Sequence, residues 1–217
     1  ARFAAFAAPY PVDAILDLAL LPVIAIVFAR LLLRAGNRRN LPLAGILALL
    51  ALANLAFHLA AMGIVDISPL APLHAGLGLI VMIECVIAAR VVPLFPANAT
   101  PGLKLRVHPS LERASLASAA LAIGLWVFAA PGPVTAAALV AAAALHFARQ
   151  WQWRPRGTLR RPILWILHAA YAWIPLGFLG AYLGTILSAR DPDGEAKFTE
   201  LSVRAQTGLG AEKASSH

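Results

Sequence analysis

The sequence predicts an all-α protein, a polytopic bundle of about six transmembrane helices. Of its 217 residues, 60% are hydrophobic and only 13% are charged, whereas a soluble domain has about 25% charged residues. The apolar residues form runs long enough to cross a hydrocarbon core of about 30 Å at about 1.5 Å per helical residue. Between these runs lie short segments rich in arginine. Lipid, rather than water, is therefore the expected surrounding of most side chains.

Three spans are expected in the first half of the chain. The first is placed at 12–33, where Pro22 is expected to kink the helix. A basic loop leads to the second span at 41–61. The third span is placed at 72–94, and Pro93 and Pro96 are expected to end it because proline removes a backbone donor.

Three more spans follow in the second half. The fourth is placed at 111–130, before Pro131 and Pro133, and the fifth at 134–147 is short and rich in alanine. Small side chains of this kind allow helices to pack closely in lipid. The sixth span is placed at 162–188. Residues 1–188 are thus predicted to form the bundle, and the polar residues 189–217 a disordered tail.

The distribution of positive charge predicts the orientation of the bundle. The first, third and fifth loops and their flanks carry arginine and lysine, and the second and fourth carry none; the residues are Arg34, Arg38, Arg39, Arg90, Lys104, Arg106, Arg113, Arg149, Arg154, Arg156, Arg160 and Arg161. Cytoplasmic loops carry such an excess. The odd-numbered loops are therefore expected in the cytoplasm and both termini on the opposite side. The net charge of +8 is accounted for in this way, so the lipid bilayer, and not nucleic acid, is the expected partner.

Polar residues inside the spans are the candidate functional residues, because an ionisable group at membrane depth needs a partner or a cavity. By position along their helices, an outer layer is expected to contain His58, His74, Asp13 and Asp17. An inner layer is expected to contain His146 and His168, with Tyr171 close to His168 on the same helix face. Glu84 is expected near the midplane as a proton relay or ion-pair partner, or else as a neutral hydrogen-bonded acid.

Histidine side chains from facing helices are common ligands of haem iron and copper. The candidate metal ligands are therefore His58, His74, His146 and His168. The alternative is that each imidazole only forms hydrogen bonds with neighbouring groups. Depth favours a functional role for His168, whereas His74 and His146 lie closer to the interfaces, where an ordinary role is favoured. Cys85 is the single cysteine, so no intrachain disulfide is expected.

Three motifs resemble the NnrS family: GNRRNLP (36–42) with ANLAFH (53–58), ARVVPLFPANATPGL (89–103) and RPILWILHAAYAWIPLG (161–177). The resemblance implies a polytopic protein of the bacterial inner membrane that takes part in the response to nitric oxide and nitrosative stress and contains haem and copper. The family positions that it implies are Arg90, Pro93, His58, His168, Tyr171 and Trp173. His168, His58, Tyr171 and Arg90 are the resulting candidates for cofactor binding, and nitric oxide or a nitrosylated species is an implied partner.

The sequence also departs from the family pattern. Family members have about twice as many helices, with early and late histidine-rich segments that have no counterpart here, so the resemblance covers the central portion. The polar run after Ser188 replaces expected spans, which leaves open a truncated or frameshifted product and whether haem and copper are bound. Turnover and sensing of nitric oxide also stay open. The alternatives are a membrane transporter and a non-catalytic membrane fragment.

Overall fold

The computed structural model describes residues 10–99, 105, 107–129 and 131–190. In this part of the chain all regular structure is helical, which confirms the all-α class. The six long helices are α1 (Tyr10–Arg34), α2 (Leu41–Ala61), α3 (Leu70–Ala99), α4 (Pro109–Phe128), α5 (Pro133–Gln152) and α6 (Pro162–Arg190). Short 3-10 helices, Arg38–Asn40 and Pro155–Thr158, lie in the connections before α2 and α6.

Two helices continue past the expected ends of their spans. The third span was expected to end at Pro93 and Pro96, but α3 continues through both prolines to Ala99. Pro96 is fully buried, and proline is tolerated inside transmembrane helices where neighbouring groups satisfy the freed backbone. The fifth span was expected to end at residue 147, but α5 continues to Gln152 because Arg149 is buried against partners inside the bundle. The division into a bundle at 1–188 and a tail at 189–217 stays a prediction, since 191–217 lie outside the described residues.

Most of the six described helices have the length and composition of membrane spans. Four of them, at Arg38–Ala61, Leu70–Ala99, Pro109–Phe128 and Pro162–Arg190, are long and apolar enough to cross a bilayer. Large apolar side chains cover the outside of the bundle, as at Phe128 and Ile163, which are 85% and 78% exposed. A surface of this kind is compatible with lipid and not with water. The protein is therefore a membrane protein.

The helices pack mainly with their neighbours in the chain. The α5–α6 interface is the most extensive, followed by α4–α5, α2–α3 and α1–α2. A smaller contact between α3 and α6 brings the last four helices together around a core of small and apolar side chains: Cys85, Ala119, Ala122, Leu139, Ala142, Ala143 and Phe178. The α3–α4 contact depends on Gly78, because a Cβ atom there would overlap Ile123 Cγ2. The pair α1–α2 extends the bundle from the side of α3.

Candidate functional site

A polar layer is buried where α5 meets α4 and α6. Its centre is Arg149, which is fully buried. Arg149 Nε donates to Glu112 Oε2 at 2.8 Å, and Arg149 Nη2 lies 2.6 Å from the same oxygen. Gln152 Nε2 donates to Glu112 Oε1 at 2.9 Å, so both carboxylate oxygens are engaged. A buried charge is stable only when it is paired, and Glu112 supplies the opposite charge, although Nη2 itself has no hydrogen bond with a described residue.

The same guanidinium links the ion pair to α3 and α6. Arg149 Nη1 donates to the backbone oxygen of Cys85 at 3.2 Å and to the Tyr171 hydroxyl at 3.3 Å. Its Cζ atom lies 5.2 Å from the centre of the Trp153 ring, a cation–π distance. Arg149 on α5 is thus connected to α3, α4 and α6 and fixes the positions of these four helices relative to one another.

His146 is held by hydrogen bonds at both ring nitrogens. Its Nε2 lies 3.1 Å from the backbone oxygen of Ser115, which can only accept, so Nε2 carries the proton. Its Nδ1 lies 2.6 Å from the Tyr171 hydroxyl and therefore accepts from it. A directed chain results, in which Arg149 donates to Tyr171, Tyr171 to His146 and His146 to Ser115. No ring nitrogen of His146 is left for a metal in this arrangement.

His168 differs from His146 in having no such partners. Its side chain is on the buried stripe of α6 that also contains Leu164, Tyr171, Pro175 and Phe178. The residue is 4% exposed, and neither Nδ1 nor Nε2 has a hydrogen-bond partner among the described residues. Its backbone oxygen accepts from Gln150 Nε2 at 2.6 Å, which ties this turn of α6 to α5. A buried imidazole without partners is costly, and such a group calls for an explanation.

A second polar contact joins α1 to α2. Asn54 Nδ2 donates to Asp17 Oδ2 at 2.9 Å, and His58 Nε2 lies 3.2 Å from the same oxygen. Asn54 and His58 share a face because they are four residues apart, as the spacing predicts. The side chain of Asp17 is 45% exposed, whereas that of His58 is 7% exposed. The side chain of Asp13 lies outside the described part of the structure.

Three predicted site residues lie outside the polar layer around Arg149 and outside the α1–α2 contact. The exposed His74 packs its ring against Trp126, with 4.9 Å between ring centres. Glu84 is exposed on a groove between α3 and α6. Arg90 donates to the side chain of Asn40 and, at 3.5 Å, to the backbone oxygen of Arg39, so it holds the first loop against α3.

The structure thus brings together part of the predicted set and adds residues that the sequence reasoning missed. His146 and Tyr171 are in direct contact, and His168 lies one turn before Tyr171 on α6. Arg149 and Glu112 were missed, since Arg149 was counted among the cations of a loop. Its position three residues after His146 was the available signal, because that spacing puts both side chains on one helix face.

The candidate metal ligands do not form a complete metal site. Among the described residues, no group of three or more histidine, cysteine, aspartate or glutamate side chains could hold a metal ion. The four histidines are distributed over different contacts, and His146 and His58 use ring nitrogens in hydrogen bonds. Copper and haem sites need ligands that converge on one metal. His168 alone, as a buried imidazole with unpaired nitrogens, would fit one ligand position and does not complete a site.

Comparisons with known proteins give one short match to a curated protein and one match to a family model over most of the chain. The uncharacterized symporter YwcA of Bacillus subtilis (strain 168) is 42% identical over 52 residues, which is 24% of this chain and 10% of the symporter. No solved structure matches the chain. The family model described as NnrS protein matches residues 1–194, a stretch that contains every described helix. The chain belongs to the NnrS family.

Proposed function

We propose that this protein takes part in the response to nitric oxide and nitrosative stress in the bacterial inner membrane, in association with haem and copper. Family membership supports the proposal. The observation that carries it is His168, a buried imidazole at membrane depth with neither ring nitrogen paired. An unpaired group in that position is best explained by a ligand that it would bind.

The proposal gives different tasks to the candidate residues. His168 is a ligand of the metal group, and the ligands that would complete the site come from outside the described residues. Tyr171 is one turn from His168 on α6, and its hydrogen bonds with Arg149 and His146 hold that turn in place. His58 and Arg90 remain candidates for cofactor contacts at the two ends of the bundle, His58 with Asp17 and Arg90 with Asn40.

The orientation is part of the same proposal. The first, third and fifth loops lie in the cytoplasm, because they hold nearly all the positive charge between the spans. The Arg149–Glu112 pair then lies near the cytoplasmic face and the Asp17–His58 contact near the opposite face. Both termini lie on the non-cytoplasmic side.

The test is a metal and haem analysis of protein purified in detergent from haem-replete and copper-replete cells. The wild type is expected to show a Soret band, and His168→Ala to lose it, because no other described imidazole takes the place of His168. His108→Ala is the matched control, since the side chain of His108 is exposed before α4. Equal size-exclusion profiles would show that both variants are folded.

Two results would contradict the proposal. One is a colourless, metal-free wild-type preparation, which would favour a non-catalytic membrane fragment. The other is an unchanged haem and copper content in His168→Ala. Growth of a strain lacking the gene, complemented with each variant and exposed to nitric oxide, is expected to follow the haem content.

No observation favours transport as a second function. The matching segment is a tenth of the symporter's length. Transporters typically bind substrate where helices are broken near the midplane. The described helices α2, α3 and α6 are continuous over their full lengths.

A further inference from the structure

A groove separates α3 from α6 on the lipid-facing side of the bundle. It has a volume of about 520 Å³, within the range of about 300–1,000 Å³ that is usual for small-molecule sites. Its walls are apolar apart from Glu84, and residues of α4 and α5, including Ile123 and Leu139, line its deeper part. A molecule could enter it from the hydrocarbon phase, because lining residues such as Trp173 and Leu77 are exposed on the outside of the bundle.

Glu84 is the carboxyl group that lines this groove, and no described residue pairs with it. It is exposed and has no hydrogen bond or ion pair with any described residue. It lies 14 residues after Leu70 in a helix that ends at Ala99, about 21 Å along the axis at about 1.5 Å per residue and so close to the midplane. A carboxyl group at that depth is costly without a hydrogen-bonding partner. Since no described residue supplies that partner, a molecule bound in the groove would satisfy the carboxyl group.

The walls indicate the shape of that molecule. Four aromatic side chains line the groove: Trp126, Tyr171, Trp173 and Phe178. Tyr171 is fixed by its bonds to Arg149 and His146, so this wall is rigid. Gly177 lines the groove on the same helix as Trp173 and leaves space there, since a Cβ atom would meet nothing within 4 Å. Aromatic walls with an open glycine face suit a flat ring, which can stack on them.

We propose that this groove binds a lipid-soluble quinone or hydroquinone, with the ring between the aromatic side chains and an oxygen of the ring hydrogen-bonded to Glu84. Such a molecule combines a flat ring, a polar oxygen and an apolar tail, and it dissolves in the hydrocarbon core at the depth of Glu84. A phospholipid does not meet these conditions, because its acyl chains cannot bond to the carboxyl group and its headgroup lies at the interface. A second copy of the chain could occupy the groove only if it placed a hydrogen-bond donor opposite Glu84 near the midplane of the membrane.

The test uses the full chain in nanodiscs, titrated calorimetrically with decyl-ubiquinone as the probe. Saturable binding of one molecule per chain is expected. Gly177→Leu is expected to weaken binding at least tenfold, because the added side chain fills the groove. Glu84→Leu is expected to weaken it by about fivefold, through loss of one hydrogen bond. Gly180→Leu is the matched control, since Gly180 also has open space around it but does not line the groove.

Three outcomes would overturn the proposal. They are the absence of saturable binding, equal affinities in Gly177→Leu and Gly180→Leu, and a change of oligomeric state in quinone-free Gly177→Leu, which would mean that a second copy occupies the groove. Neither nitric oxide nor metal enters the measurement. Its result is therefore independent of the haem analysis of His168.

Discussion

Replacing Glu112 with glutamine is expected to lower the free energy of unfolding by about 3 kcal/mol. Arg149 is fully buried and would keep its charge without a carboxylate partner. Removal of one partner of a buried pair typically costs about 3–5 kcal/mol. The lower end applies here because the side chain of Glu112 is 17% exposed, so water partly compensates. The measurement is unfolding of the purified protein in detergent or bicelles by a titrated denaturant, followed by tryptophan fluorescence.

A double-mutant cycle separates the ion pair from general damage to the bundle. Arg149→Met is expected to be destabilising by itself because it leaves Glu112 without its cation. Arg149→Met combined with Glu112→Gln is expected to cost clearly less than the sum of the two single changes, since no unpaired charge remains. Additive effects, within about 0.5 kcal/mol, would show that the two side chains do not interact as the structure describes.

Tyr171→Phe is expected to lower the free energy of unfolding by about 1–3 kcal/mol. The hydroxyl group donates to His146 and accepts from Arg149, and its loss leaves a buried imidazole nitrogen without a donor. An unsatisfied buried group costs about that amount. Tyr182→Phe on the same helix is the control, because no described residue forms a hydrogen bond with the Tyr182 hydroxyl. Equal effects of the two substitutions would contradict the directed chain from Arg149 to Ser115.

The fold class could be predicted from the sequence because it depends on length, hydropathy and charge, which act over whole segments. Helix ends could not be predicted where contacts between side chains of different helices determine them. Arg149 was counted with the cations of the fifth loop, but it is paired with Glu112 from α4. Pro96 was taken as a stop because its isolated effect is to break a helix, but burial among neighbours keeps α3 intact.

For the candidate site residues, the position along each helix could be predicted from the sequence, but not the neighbouring helix that each side chain faces. Residue counts along the helices put His146 and His168 in one layer, with Tyr171 on the same helix face as His168, and the structure brings His146 and Tyr171 into contact. The face on which Glu84 lies could not be predicted, because lipid is as apolar as the interior and α3 is apolar on every side. The single-sided pattern that identifies the buried face of a helix in water is therefore missing here.

Crossing of the membrane by α2, with the loop before it in the cytoplasm, is most directly tested by cysteine labelling of intact cells. Cys85→Ala removes the single native thiol, and Ala35→Cys and Ile64→Cys each place one exposed thiol in the loops before and after α2. A membrane-impermeant maleimide is expected to label Ile64→Cys from outside, and Ala35→Cys only after the cells are permeabilised. Labelling of both positions from outside, or recovery of the protein in the soluble fraction without detergent, would contradict the membrane bundle and its orientation.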